Sequence, residues 1–484
     1  MNISPKLLSF PGSCELSPSL MADLQIDRLF SEQTVEVLQR PCDEREILRR
    51  QELFALLRDP KKAGRLEDCL SLLLHTERAY LLWQKAKTKV EQYHRTHAMW
   101  AAYVEVCEAL AALSDLGCAL TRELARHFDT EEKRGLLARL RTALNRSQAI
   151  LKTVRTGLLS CSDKCWLTPD CASESERERI AALAQRLGFS VPDPSICRIE
   201  LPSSLSDAIF RLYREECADW ELLFAPFDRT LIEEPLQYIP ELRFFLEVHA
   251  LTERAGAIGI PCCFPQVARE PQYTAKGLYD IVLWAKTSRT IVPTDAHFSV
   301  QEPFFFLVGA NGGGKTTYLR AVGINLVLFL AGCPIFAREA EIYPFDDVEA
   351  HFPKDERFER VGRLDEELLR TAAMLDRAAG KRVFLLFNET YSGTDDRRGF
   401  DLLRETVDRI HAAGHSGLYV THFHEVMELE YPVLRAEVVP DEDHRRTYRI
   451  VKSKGNAASF AADILKKYRL DADSLRERRA QDEH

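Results

Sequence analysis

The stretch Phe304-Phe305-Phe306-Leu307-Val308-Gly309-Ala310-Asn311-Gly312-Gly313-Gly314-Lys315-Thr316-Thr317 decides the fold. Five apolar residues in succession read as a strand buried on both faces, and the residues after it satisfy the GxxxxGK[ST] pattern of a phosphate-binding loop. Glycine lets such a loop curl until its backbone N–H groups converge on phosphate oxygens, and the helix expected from about Thr316 adds its positive end. Gly309, Ala310, Asn311, Gly312, Gly313, Gly314, Lys315, Thr316 and Thr317 are therefore the expected nucleotide contacts. Within them Lys315 reaches the terminal phosphates and Thr316 is a ligand for Mg2+.

Downstream, the apolar run 383–387 ends in Asn388 and Glu389, as a second strand of such a site would. Glu389 is the expected general base for an attacking water and a metal-side group. Asn388, where an aspartate would normally support the metal, can serve only through a water and brings no charge. Slow turnover, or binding with little hydrolysis, is the expectation. A third run, 418–420, delivers Thr421 and His422 to the same sheet edge, where the imidazole can sense a γ-phosphate. Helices are expected from near Leu364 and Gly399, so strands and helices alternate in the βαβ grammar of a parallel, helix-covered sheet.

Upstream the grammar is helical. Residues 65–116 contain neither glycine nor proline, and Trp83, Ala86, Val90, Tyr93, His97, Trp100, Val104, Cys107 and Ala111 lie on a seam of three- and four-residue steps. One very long helix, or two nearly continuous ones, follows; fifty helical residues would reach about 75 Å, suited to a lever. A bundle without a mechanical role fits the periodicity equally. Helical sequence continues over 120–156, breaks at 157–173 as a candidate arm tip, and resumes at 177–187. After a turn at 191–194 it runs on through 205–223 and 241–255. The expected fold class is an all-helical core with long lever helices followed by an α/β P-loop domain. Its parts are 1–290 (arm tip near 157–200), 291–470 and a charged tail, 471–484.

A chain of 484 residues with 45% hydrophobic and 29% charged content has room for several cores, and its net charge of -9 confines any nucleic-acid contact to a local basic face. The opening residues lack the pattern of a secretory signal, so the thirteen cysteines are read as cytoplasmic thiols. Cys161, Cys165 and Cys171 lack the paired CxxC spacing of structural zinc. The apolar run 324–333 contains Asn325 and is too short to span a bilayer, so no membrane is expected.

The loop 309–317, Tyr318 and Arg320 behind it, Phe387-Asn388-Glu389 before Ser392-Gly393-Thr394, and Thr421-His422-Phe423-His424-Glu425 together resemble the ATPase of the MutS family. Ile291-Val292-Pro293-Thr294-Asp295 resembles that family's adenine-side motif, with Ile291 where many members carry a stacking aromatic. Residues 241–250 and 262–265 are similar to its returning lever helix, and 23–27 and 37–51 to the start of its helical core. The resemblance implies ATP and Mg2+ as ligands, a homodimer, and a clamp on mismatched or structurally distinct DNA in repair or recombination, with other repair proteins as further partners. Departures qualify it. No room precedes Asp23 for a mismatch-reading domain, no nuclease-like domain follows Leu470, and Gly362 stands where the family carries a serine that crosses the dimer. Backbone, Arg360 or Arg363 would have to make that contact instead. Arm-tip residues Lys152, Arg155 and Lys164 are candidates for phosphate contact. The alternative is a nucleotide-gated switch that holds protein partners and touches no DNA. A metabolic kinase on the same loop is a third reading, weakened by His422 and the 392–395 turn.

Overall fold

The computed structural model describes residues 7–8, 15–87, 89–153, 156–161, 164–169, 211, 213–287, 291–353, 363–438 and 446–453. The helix expected at 177–187, the turn at 191–194, Cys171, Arg360, Gly362 and the tail 471–484 lie outside them. The chain forms two compact units, one of residues 1–7 and 59–242, the other of 8–58 and 243–484. The boundary expected at 290/291 lies inside the second unit.

The first three helices, α1 (Pro18–Leu24), α2 (Glu32–Leu38) and α3 (Glu44–Leu56), belong to the second unit. Each opens on a side chain that accepts a hydrogen bond from an N–H of its first turn: Ser17 from Leu20, Ser31 from Thr34 and Asp43 from Glu46. They join the later sequence through long-range bonds. Cys42 N–H donates to the Leu330 carbonyl at 2.8 Å, and the fully buried Arg50 donates to the Ala331 carbonyl at 3.0 Å.

The helical unit contains α4 (Pro60–Gln84), α5 (Lys89–Ala111), α6 (Ala119–Phe128), α7 (Glu131–Thr153), α8 (Arg214–Phe224) and α9 (Glu233–Leu236). Two expectations are corrected here. The seam through 83–111 is not one rod, because α4 and α5 fold back on each other as an antiparallel pair. Trp83 Nε1 donates to Thr96 Oγ1 at 3.1 Å, Arg95 Nη1 to the Leu82 carbonyl at 2.6 Å, and Thr76 Oγ1 to the Ala102 carbonyl at 3.2 Å. On α5 the three- and four-residue spacing marks a face turned to later helices of the unit: the Tyr93 ring lies 4.5 Å from that of Trp220 on α8, and His97 Nδ1 lies 2.8 Å from the Ser147 hydroxyl on α7. The unit is also not all helical, since β1 (Thr156–Cys161) and β2 (Lys164–Pro169) pair as an antiparallel hairpin at the expected break.

Helix α10 (Ile239–Gly256) passes from the first unit into the second at 242/243, and the second unit continues with β3 (Gln266–Val267), β4 (Tyr273–Leu278), α11 (Ile281–Thr287), β5 (Thr294–Phe298), β6 (Phe304–Val308) and α12 (Lys315–Leu330). After these come β7 (Glu339–Ile342), β8 (Asp347–His351), α13 (Arg363–Ala378), β9 (Val383–Asn388), α14 (Asp396–Ala412), β10 (Ser416–Val420), β11 (Val433–Val438) and β12 (Arg446–Lys452). Six strands lie in the order β12-β11-β6-β10-β9-β8, parallel except for β12, and a smaller mixed sheet runs β3-β7-β4-β5. Every residue of β6, β8, β9 and β10 is buried, the condition for the continuous apolar runs of β6 and β9. The register Val420↔Asn388 and Val420↔Leu307 brings three strand ends to one edge. That edge carries the glycine loop, Glu389 and His422.

Among the described residues, no helix is long and apolar enough to cross a membrane, and no group of three or more His, Cys, Asp or Glu could hold a metal ion. Gly417 sets the spacing of the central strands: a Cβ there would lie 2.3 Å from the Leu385 carbonyl oxygen. Because neither backbone can yield, Gly417→Ala is expected to lower stability by about 3 kcal/mol, read as the shift of the urea unfolding midpoint. An unchanged midpoint would contradict this packing.

Candidate functional site

β6 ends at Val308 and α12 begins at Lys315, so six residues must reverse the chain between sheet and helix. Gly309, Gly312 and Gly314 take φ values of 141°, 73° and 95°, a region that side-chain-bearing residues rarely adopt. Gly313 is demanded by space, since a Cβ would lie 3.0 Å from both the Ala310 carbonyl oxygen and the Ala436 side chain. The loop wraps the Lys315 ammonium, which donates to the Gly309 carbonyl at 2.6 Å and to Asn311 Oδ1 at 3.3 Å. Lys315 is only 4% exposed. Burial lowers its pKa, and Glu389 Oε1, 3.6 Å away, acts in the opposite sense. The result is a desolvated cation held on neutral loop acceptors.

Thr316, on the first turn of α12, donates from Oγ1 to Asn388 Oδ1 at 3.3 Å, so the start of α12 and the end of β9 meet through two oxygen-bearing side chains. Hard oxygen donors of this kind suit Mg2+. Glu389 holds φ 52° while its N–H donates to the Val420 carbonyl at 2.8 Å, and Tyr391 holds φ 68° with its N–H on Glu367 at 2.8 Å. Two non-glycine residues in left-handed conformation within three positions is strain of the sort that collects at functional sites. Here it turns the Glu389 carboxylate toward the loop.

Beside the loop lies a cavity of about 530 Å³. Asn311, Gly312, Gly314, Lys315, Thr316 and Thr317 line it together with Glu389 and Ile291. Gly309, Ala310 and Gly313 shape the loop without lining the cavity, and Asn388 touches it only through Thr316. His422 sits at the end of β10, exposed, with its ring 4.3 Å from that of Phe423 and outside the cavity lining.

The structure adds lining residues that carried no local signal. Tyr448, on β12, is 48% exposed, takes φ 57° and lies against Gly314, where a Cβ would be 3.6 Å from its ring. An aromatic face thus meets the cavity from the far end of the chain, while Ile291 contributes an aliphatic one. Asp280 is buried, accepts at Oδ1 from Leu283 N–H at 3.0 Å and lies 3.9 Å from Arg320 through Oδ2; burial raises its pKa.

Fold and site together define an α/β domain of helix-covered parallel strands organised around a strand, glycine loop and buried helix. Residues 305–463 match the family model described as MutS domain V. The chain is 29% identical over 178 residues to the DNA mismatch repair protein MutS of Natronomonas pharaonis, covering 34% of this chain and 19% of that one. It is 26% identical over 354 residues to that of Methanosarcina mazei (63% and 36%) and 24% identical over 375 residues to that of Methanococcoides burtonii (67% and 39%). The chain therefore carries a region similar to MutS domain V, and it spans less than two-fifths of the length of these relatives.

Proposed function

We propose that the second unit binds ATP with Mg2+ and hydrolyses it slowly, and that the chain works as a homodimeric, DNA-binding member of its family in repair or recombination. One observation carries the nucleotide reading: a buried ammonium, a hydroxyl–amide pair and a carboxylate converge on a glycine loop whose geometry only glycine sustains. In this reading the loop N–H groups and Lys315 bind the phosphates, Thr316 and Asn388 hold the metal, the latter through water, and Glu389 takes the proton of the attacking water. Bound Mg2+ would neutralise phosphate charge. His422 is the γ-phosphate sensor, and Ile291 and Tyr448 flank the base.

The DNA part rests on the names of the relatives and on the resemblance of the upstream helices, and the homodimer rests on the same resemblance. Binding to homoduplex, mismatched and four-way-junction DNA, with and without ATP and Mg2+, across a salt series tests it. Nucleotide-dependent binding that weakens with salt is expected. Absence of binding at low salt in every nucleotide state would favour the protein-holding switch, which the net charge of -9 also suits.

Asn388 supplies an amide where a carboxylate would bind metal more strongly. Asn388→Asp is expected to lower the Mg2+ concentration for half-maximal phosphate release by about 10-fold. The same half-saturation point in both proteins would remove Asn388 from the metal's surroundings.

A further inference from the structure

A chain of net charge -9 can meet a phosphate backbone only through a local basic face, and α7 supplies one. From Lys133 to Thr153 it carries six basic and no acidic residues. Its azimuth is fixed by the buried side: Leu137, Leu140 and Ala143 are buried, and the buried Ser147 hydroxyl lies 2.8 Å from His97 Nδ1 and accepts from Trp220 Nε1 at 3.1 Å.

The opposite side has an unusual pattern. Its crest is formed by the exposed small residues Gly135, Ala138, Thr142, Asn145 and Ala149. Seven residues advance a helix by about 10.5 Å and return to within about 20° of the same direction, so exposed Arg139 and Arg146 form one row. Exposed Arg134 and Arg141 form a second, and the rows stand about 60–80° to either side of the crest. Arg134 reaches Asp129 at 3.4 Å and Arg141 pairs with Glu108, whereas Arg139 and Arg146 have no ion pair among the described residues.

Taking as given the DNA-binding reading above, we propose that this face of α7 is a duplex-binding surface, its small crest against the DNA and its arginine rows on the phosphates of the two flanking strands. The dimensions agree. A helix with side chains is about 10–12 Å across and the major groove about 12 Å wide, and small residues let the backbone approach while arginines reach out bidentately to either side. Phosphate contacts of this kind carry affinity and not sequence preference.

The test uses the full chain and a fluorescently labelled 30-base-pair duplex, titrated from low to physiological salt with ATP and Mg2+ present and absent. Arg139→Glu combined with Arg146→Glu is expected to weaken binding at least about 10-fold at low salt. The gentler Arg139→Gln with Arg146→Gln should reduce the slope of log affinity against log salt by about two. Ala138→Glu, which keeps every arginine and places a carboxylate on the crest, should weaken binding too. Thermal unfolding at the wild-type temperature verifies the fold, and if the glutamate pair fails it the glutamine pair decides. Variants that bind with unchanged affinity and slope overturn the α7 surface while leaving DNA binding standing. A wild-type chain that binds no duplex in either nucleotide state at low salt overturns both.

Discussion

Glu389→Gln is expected to leave ATP binding within about threefold of wild type and to lower steady-state phosphate release by about 10²–10⁴-fold, the usual contribution of a positioned general base. Glutamine keeps the length of the side chain and one acceptor oxygen but cannot take a proton at neutral pH. The geometry restricts the effect to chemistry. Glu389 is fixed by its own backbone, through the N–H bond to the Val420 carbonyl and the left-handed φ of 52°, so the replacement inherits the same position. It also keeps a polar atom near the Lys315 ammonium, 3.6 Å from the carboxylate, although the opposing charge is lost. Fluorescent-nucleotide binding measured beside phosphate release separates the two quantities. Equal turnover in variant and wild type would exclude Glu389 as the base.

Lys315→Ala is expected to weaken ATP binding by about 100–1000-fold. Two charge-assisted hydrogen bonds to phosphate oxygens, each worth about 1.5–2 kcal/mol, at the lower end of the usual range, account for that loss. The ammonium is already out of water at 4% exposure and already oriented by Gly309 and Asn311, so it meets an anion at little further cost in desolvation or side-chain order. The variant removes a buried charge without leaving a charged partner fully buried, because Glu389 keeps 33% of its side-chain surface in water. The fold should survive, and isothermal titration with ATP and Mg2+ then reads binding alone. Wild-type affinity in the variant would sink the assignment of the loop as a nucleotide site.

The α/β half was legible because its signals are local. Five consecutive apolar residues in β6 and six in 383–388 with only the last polar mark strands covered on both faces, and the loop between β6 and α12 needs glycine for backbone reasons confined to a few positions. The helical half was legible as helix but not as architecture. A three- and four-residue apolar step records that a helix buries one face without recording what covers it. The turn at 85–87, which folds α5 back on α4, contains no glycine or proline to announce it.

What the sequence by itself determined is the chemistry available at one sheet edge: Lys315, Thr316, Asn388 and Glu389 stand at strand and helix ends because the spacing of apolar runs puts them there. What only the tertiary structure decided is which distant groups share that edge. Tyr448 reaches Gly314 through the β11–β12 pairing, Cys42 just before α3 and Arg50 on α3 bond to the end of α12, and His422 stands outside the cavity lining. Those placements depend on register and packing between segments hundreds of residues apart, and periodicity within a single segment holds no record of them.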